Sequence, residues 1–284
     1  MGHDKLRKFA ENQTFSCLLQ PSSQELLADG FFKLRDHQIK GHWREKMFPR
    51  SSAPEGSIVL ELGCGKGEYT IDLSQRNPDC NYIGVDIKGA RLWKGAKYAT
   101  EHKLANVAFL RTRVELISAF FAPGEVGEIW LTFSDPQFRS ENSRLCSPLF
   151  LERYRRFLKP GGIVHLKTDS QFLHQYALAV CKANNLKIVA CTSDLYGVQD
   201  GNAEALGKEN IGAEVFEVQT FYESLFLEQG YKITYLAFCL DHEGDYVYPT
   251  DFDSDYWRSV EGPRLLFGHD SAETRRQKLK KTEE

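Results

Sequence analysis

The chain has 284 residues, of which 42% are hydrophobic and 12% aromatic, and this is ample for a packed core and excludes wholesale disorder. Its net charge of −3 gives no global basic signature for nucleic acid, so any RNA contact has to come from a local patch. The seven cysteines form no CxxC pair and no apolar stretch approaches the ~20 residues of a membrane span, so we expect a soluble, cytoplasmic protein without a metal site or a membrane partner.

Residues 1–54 form a mixed leader ahead of the first regular unit. Within it, residues 41–48 are aromatic and basic and lie just before two chain-breaking prolines. Trp43 in this stretch has two interpretations, which the sequence leaves open. It stacks on a nucleic-acid base, or it anchors the leader to the main domain.

The first regular unit is a short apolar strand that runs into Glu61 and then into glycines at 63, 65 and 67, followed by a helix over residues 69–76. The nicotinamide fingerprint needs its third glycine one place later, and pyrophosphate would favour bare N–H groups without a carboxylate. An acid at this turn instead suits a ligand with a cationic end, such as the amino acid part of S-adenosylmethionine. The alternative is a glycine turn that only packs a helix on a strand.

A second strand over residues 81–86 again ends in an acid, Asp86, one strand–helix–strand unit after Glu61. An acid at this position accepts hydrogen bonds from the ribose hydroxyls of a bound nucleoside, the alternative being a solvated strand end. The helix that follows, over residues 88–103, is basic. Its cations form a solvated face or a face that grips phosphates.

The rest of the chain alternates strands and helices. Strands are predicted over residues 106–111, 128–133, 163–169, 186–191 and 231–240, with helices over residues 114–121, 148–158, 171–183 and 215–229. This alternation predicts a mostly parallel sheet with helices on both faces, in which ligands bind outside the carboxyl ends of the strands. Four acids end strands on that edge and predict a site there: Glu61, Asp86, Asp135 and Asp169.

Residues 241–284 form a C-terminal extension. Its segment 251–255 resembles the start of a calcium loop, but Tyr256 stands where glycine is required, so we reject calcium. The end of the extension carries a basic cluster at Arg275, Arg276, Lys278, Lys280 and Lys281. This cluster is a solvated tail or a source of phosphate contacts.

Five stretches, in order, resemble the tRNA (guanine-N7)-methyltransferases. They are residues 61–67, residues 86–91, Asp135-Pro136, Lys167-Thr168-Asp169 and residues 220–223. The resemblance covers about residues 56–240. It implies a methyltransferase domain over residues 55–240 with an α/β, Rossmann-like class I fold, whose seven-stranded, mostly parallel sheet has an antiparallel last strand.

The resemblance also implies roles for individual residues. It places S-adenosylmethionine against Glu61, Gly63, Gly65, Gly67, Asp86 and Asp135, and tRNA against Arg139, Asp169, Thr220 and Glu223. Arg113, at the end of the third strand, is a further donor-binding candidate, although many relatives carry an acid or polar group near the adenine at that strand end. Asp135 is the catalytic candidate. The chemistry agrees, because guanine N7 has a free lone pair and needs alignment with the methyl group and nearby carboxylates more than a strong base.

One departure from the family concerns RNA binding. After Asp135-Pro136 the family carries a dense basic run, whereas here only Arg139 and Arg144 are basic. Two other functions therefore stay open beside methylation of guanine N7 in tRNA. They are a small-molecule methyltransferase, and an RNA-binding or scaffold protein that keeps the fold with little turnover. Monomer and homodimer are both compatible with the sequence.

Overall fold

The computed structural model describes residues 3–30, 33–54 and 57–261. The basic cluster over residues 275–281 lies outside the described residues, and so its role stays a prediction.

Within the described residues, eight strands form one sheet. They are β1 (Leu18–Leu19), β2 (Ile58–Leu62), β3 (Asn81–Asp86), β4 (Val107–Arg111), β5 (Val126–Thr132), β6 (Leu158–Thr168), β7 (Ile188–Thr192) and β8 (Thr234–Cys239). Their order is β1-β4-β3-β2-β5-β6-β8-β7. Strand β8 is antiparallel to both of its neighbours and the other pairs are parallel, which confirms the predicted fold class with its antiparallel last strand.

The predicted number of strands, seven, is wrong by one. The additional strand is β1, which lies in the leader and pairs in parallel with β4, the strand that would otherwise be the sheet edge. The Phe109 N–H of β4 also donates to the Cys17 carbonyl at 2.7 Å. Two residues are too few to show a strand periodicity, but they cover the open backbone groups of an edge strand.

Eleven α-helices connect and flank these strands in the part of the chain that is described. They are α1 (His3–Asn12), α2 (Ser23–Leu26), α3 (Trp43–Met47), α4 (Glu68–Arg76), α5 (Gly89–Glu101), α6 (Pro148–Tyr154), α7 (Gln171–Ala183), α8 (Leu195–Gln199), α9 (Ala213–Glu217), α10 (Phe221–Glu228) and α11 (Ser254–Glu261). The helix predicted over residues 114–121 is a 3₁₀ helix over Val114–Ala119.

The predicted single helix over residues 215–229 is wrong. Two helices, α9 and α10, replace it because Thr220 begins a new helix, its hydroxyl accepting the Glu223 N–H at 3.2 Å. A side chain that satisfies the first free N–H groups of a helix favours a helix start at that residue. Residues 220–223, which carry the resemblance to the family, therefore begin the second of these two helices.

Trp43 anchors the leader to the domain. Its side chain has no exposed surface, its indole N–H donates to the Phe120 carbonyl at 2.8 Å, and its ring stacks on Phe121 with 5.2 Å between centroids. Burial of such a large aromatic ring with its N–H satisfied is a strong packing contribution. This arrangement favours the anchoring interpretation over base stacking.

The C-terminal extension also packs on the domain. Asn184 at the end of α7 exchanges two hydrogen bonds with the Val247 backbone, at 2.9 and 2.7 Å. The division of the chain at residues 54 and 240 stays a prediction, but the described parts of both flanking segments lie against the sheet domain.

The fold places the candidate site by its strand directions. Every residue of β2 is buried, as expected for a parallel strand covered by helices on both faces. Strands β2 to β6 run parallel, so their carboxyl ends share one edge of the sheet. We call this edge the rim. Ligands of such sheets bind there.

Candidate functional site

The glycine loop that follows β2 is open at two of its three glycines. Gly63, Gly65 and Gly67 have φ angles of +82°, +58° and +73°, a region that residues with a side chain rarely adopt. A Cβ atom added at Gly63 or Gly65 would meet nothing within 4 Å, whereas at Gly67 it would lie 2.5 Å from the Phe109 ring. The first two glycines therefore leave backbone open to a ligand, and the third is required for packing.

Glu61 is buried beside this loop and joins three elements of the fold. One carboxylate oxygen accepts the Thr132 hydroxyl of β5 at 2.6 Å, and the other accepts the Thr70 N–H of α4 at 2.8 Å as well as the Thr70 hydroxyl. Burial raises the pKa of Glu61 to about 7, and the nearby Asp86 carboxylate contributes to the rise. A cation bound close by would favour the ionised form.

Asp86, the last residue of β3, holds the glycine loop. Its two carboxylate oxygens accept the Gly65 N–H at 3.0 Å and the Lys88 N–H at 2.7 Å. Each carboxylate oxygen has capacity for a further hydrogen bond. Asp86 therefore fixes the loop and, being half-buried, still presents acceptors at the rim.

Arg113 follows β4, the next strand along the rim. Its side chain is 50% exposed and lies 3.3 Å from the Glu115 carboxylate. Thr112, immediately before it, is buried. The structure thus puts Arg113 at the rim with a solvent-facing guanidinium, and its contact with the donor stays a prediction.

Asp135 lies in a strained turn at the end of β5. Phe133 and Gln137, two residues to either side of it, have φ angles of +48° and +50°. Non-glycine residues in this region cost about 1–3 kcal/mol each and persist where the surroundings hold them, often at functional sites. The Asp135 side chain is exposed and accepts the Gln137 N–H at 2.9 Å. This turn presents a carboxylate to solvent at the rim.

The two arginines after Asp135 lie in opposite environments. Arg139 is exposed, as a phosphate contact requires. Arg144 is 3% exposed, and its guanidinium lies over the rings of Tyr176, at 4.2 Å, and Phe172, at 4.7 Å. Arg144 is thus a buried cation–π partner. Of the two, only Arg139 is placed for contact with RNA, so this loop is less basic at its surface than its sequence indicates.

Asp169 and Thr220 lie near the next strand end. Asp169 directly follows β6 and is 7% exposed, and Ser170 after it caps α7 by accepting the Leu173 N–H at 3.0 Å. Thr220 caps α10, whose first residue donates its N–H to Glu68 at 3.2 Å. Glu68 opens α4 directly after the glycine loop, so it joins this loop to the Thr220 segment. The sequence pattern did not single out Glu68.

Glu223 faces the interior. Its side chain has no exposed surface, and one carboxylate oxygen lies 2.8 Å from the Lys167 ammonium and accepts the Tyr196 hydroxyl at 2.7 Å. Its other oxygen accepts the Thr220 N–H at 3.4 Å. This geometry gives Glu223 a positioning role for Thr220, while direct contact between Glu223 and a guanine stays a prediction.

Comparison with known proteins agrees with this geometry. A family model described as "Putative methyltransferase" matches residues 55–225. A tRNA (guanine-N(7)-)-methyltransferase of Christiangramia forsetii is 47% identical over 83% of this chain and 97% of its own length. Proteins of the same name from Bacteroides thetaiotaomicron and Porphyromonas gingivalis are 41% and 42% identical, over 91% and 80% of this chain and 95% and 88% of theirs.

The chain belongs to the tRNA (guanine-N7)-methyltransferase family. This confirms the resemblance and the predicted enzyme class. In this family member, Lys167 is the residue of the Lys-Thr-Asp stretch whose role sequence reasoning missed. A lysine within an otherwise buried strand, together with an acid in residues 220–223, was the signal available for it.

Two further findings concern membrane spans and metal sites, and both apply to the described residues 3–30, 33–54 and 57–261. None of the helices in them is long and apolar enough to cross a membrane. The same residues contain no cluster of three or more histidines, cysteines and acids that could hold a metal ion.

Proposed function

We propose that this protein transfers a methyl group from S-adenosylmethionine to N7 of a guanine in tRNA, in the variable loop as the family resemblance implies. The observation that carries this proposal is the 47% identity, over 83% of the chain, to a relative named tRNA (guanine-N(7)-)-methyltransferase. The glycine loop and the acids of the rim supply matching chemistry.

The residues around the glycine loop fit S-adenosylmethionine. Gly63 and Gly65 leave room for close approach of a ligand to the backbone, and the Asp86 carboxylate stands at the neighbouring strand end for the ribose hydroxyls. Buried Glu61, once ionised by a bound cation, would add negative charge that suits a cationic amino acid group. When bound, the donor supplies an electrophilic methyl group on a positively charged sulfur.

The chain's own part in the reaction is alignment and electrostatics. Guanine N7 attacks with a free lone pair, so no residue has to remove a proton first. Positive charge develops on the purine as N7 is methylated, and the exposed Asp135 carboxylate at the rim stabilises that charge. Asp169, at the end of the next strand, accepts hydrogen bonds from the N1–H and N2 donors of the guanine and orients it.

Contact with tRNA phosphates falls to exposed cations. Arg139 lies in the loop after Asp135, and α5 adds further cations, among them exposed Lys94 and half-buried Lys97. Such contacts add affinity without sequence information and depend on salt. The basic cluster over residues 275–281 is a further candidate.

Labelled-methyl transfer separates this function from its two alternatives. We expect label to pass from S-adenosylmethionine to bulk tRNA. Label found only in a small-molecule extract would instead indicate a small-molecule methyltransferase. Binding of donor and tRNA without any transfer would indicate an RNA-binding or scaffold protein.

A further inference from the structure

The helix of the C-terminal extension, α11, ends on the rim. Its last residue, Glu261, accepts the Ser170 hydroxyl at 2.6 Å and the Phe172 N–H at 2.9 Å. Ser170 is fully buried and directly follows Asp169. A carboxylate that caps the first turn of a helix is favoured by the free N–H groups and the helix dipole. Glu261 therefore fixes the backbone next to Asp169.

The same helix also holds the loop after Asp135. Arg258 donates a hydrogen bond to the Phe138 carbonyl at 2.8 Å. Arg258 and Glu261 are three residues apart, so they lie on one face of α11. One face of one helix thus contacts the backbone after β5 and the backbone after β6.

Aromatic contacts also connect the loop after Asp135, the start of α7 and the extension. The Phe138 ring meets the Phe172 ring of α7 edge-on at 4.9 Å, and Phe172 in turn meets Phe252 of the extension at 5.2 Å. Tyr248 of the extension donates to the Asn142 side chain at 2.5 Å. The extension therefore contacts the loop after Asp135 at more than one point.

The backbone at Asp135 needs such support. Phe133 and Gln137 hold positive φ angles, and strained residues persist only where the surrounding structure over-determines them. Asp135 is exposed and accepts the Gln137 N–H, so the position of its carboxylate depends on the conformation of this loop.

We propose that α11 is a brace for the catalytic rim, in which Arg258 and Glu261 are positioning residues that hold the Asp135 and Asp169 loops in register for methyl transfer. This inference rests on the proposed function, because it assigns those two acids to the reaction. It gives the C-terminal extension a part in turnover that is separate from donor binding at Gly63, Gly65 and Asp86.

The test compares Glu261→Gln and Arg258→Gln with wild type and with a control, Glu243→Gln, at an exposed position of the same extension. We expect the single-turnover rate at saturating tRNA to fall about ten- to a hundredfold in both variants, since small misplacements of reacting groups carry losses of this size. Donor affinity and tRNA affinity should stay within about twofold. Arg258→Lys should recover part of the rate, and the double variant should lose little more than the worse single one.

Two results would overturn the brace. One is a single-turnover rate in Glu261→Gln and Arg258→Gln that equals the wild-type rate. The other is a loss confined to tRNA affinity and its salt dependence, which would make Arg258 an RNA contact.

Hydrogen exchange gives a second measurement that does not need catalysis. We expect faster exchange over residues 134–144 and 169–173 in Glu261→Gln and Arg258→Gln but not in the control Glu243→Gln, and unchanged exchange in both variants would also contradict the proposal. If wild type transferred no methyl group to tRNA, the proposed function would fail, while the exchange experiment would still test the brace.

Discussion

The Lys167 ammonium lies 2.8 Å from the Glu223 carboxylate, and neither side chain has any exposed surface. Lys167 also donates to the Val218 carbonyl at 2.9 Å. Burial lowers the pKa of Lys167, and the Glu223 carboxylate opposes this shift. This pair fastens the Thr220 segment to β6, two residues before Asp169, and so links two parts of the rim that are distant in sequence.

Removing one partner of this pair should be costly. Lys167→Met leaves the Glu223 carboxylate buried without its cation, and we expect a loss of about 3–5 kcal/mol in the free energy of unfolding. Urea denaturation measures it. Lys182→Met, at an exposed position of α7, is the control. The double variant Lys167→Met/Glu223→Gln should recover part of the lost stability. If Lys167→Met were as stable as wild type, the pair would contribute little to stability.

Asp86→Ala should weaken donor binding. The variant would remove the proposed charge-assisted hydrogen bond between Asp86 and the ribose. Such a bond contributes roughly 1.5–3 kcal/mol, so S-adenosylmethionine affinity should fall about tenfold or more. Calorimetry measures the affinity, and Asp79→Ala, in an exposed turn, is the control. Equal affinities in Asp86→Ala and wild type would remove Asp86 from the donor site.

Glu61 should make folding stability depend on pH. Its pKa is about 7 in the folded protein against 4.5 for an ordinary glutamate, so the folded state holds the extra proton between these values. This proton uptake stabilises the folded state by about 3 kcal/mol at pH values below the pKa of Glu61 in the unfolded chain. The stabilisation is lost as pH rises through the pKa of Glu61 in the folded protein. Unfolding free energies of wild type and Glu61→Gln should therefore differ in slope over this range. Parallel curves would contradict the shift.

The same residue should make donor binding depend on pH. A cationic donor favours ionised Glu61, so wild-type affinity should rise from about pH 6 to about pH 8 with release of a proton. The donor's own amino group also titrates, at about pH 8, but its contribution is common to wild type and Glu61→Gln. We expect a steeper dependence in wild type by calorimetry. The same dependence in both proteins would place the donor's charge away from Glu61.

Asp135→Ala should lower turnover more than donor binding. The carboxylate is exposed at the rim and its proposed role is to stabilise charge on the purine, so the single-turnover rate should fall about a hundredfold or more. Donor affinity should fall only modestly. An unchanged rate would move the catalytic role to Asp169.

The two arginines of the loop after Asp135 should behave differently. Arg139→Gln should weaken tRNA binding and reduce the slope of log affinity against log salt by about 0.7–0.9 for each phosphate that the variant no longer neutralises. Arg144→Gln should leave that slope unchanged and lower stability by about 2 kcal/mol, because it removes a buried cation from its aromatic rings. Salt titrations and urea denaturation check both, and a salt slope that changes in Arg144→Gln alone would refute this assignment.

The grouping of the proposed donor-binding residues at one end of the sheet was predictable from sequence, because these residues are close together in the chain. Glu61 and the three glycines are neighbours in the sequence, and Asp86 ends the next strand, one strand–helix–strand unit later. The structure adds that Gly67 is needed for packing, which depends on Phe109 from another strand.

The substrate half was less predictable because it depends on burial and on distant partners. The resemblance made Glu223 a candidate for contact with tRNA, and Arg144 was one of the two basic residues noted after Asp135-Pro136. The structure instead pairs Glu223 with Lys167 and stacks Arg144 on rings of α7. The contacts of Arg258 and Glu261 with the rim also join residues far apart in the chain. Periodicity carries no information about such pairs.

The most direct measurement is the identity of the methylated nucleoside. Unmodified tRNA is incubated with the purified full chain and methyl-labelled S-adenosylmethionine, then digested and analysed by mass spectrometry. We expect the label in 7-methylguanosine with wild type, and little or none with Asp135→Ala. Label in another nucleoside, or none with a wild-type protein that binds the donor, would contradict methyl transfer to guanine N7.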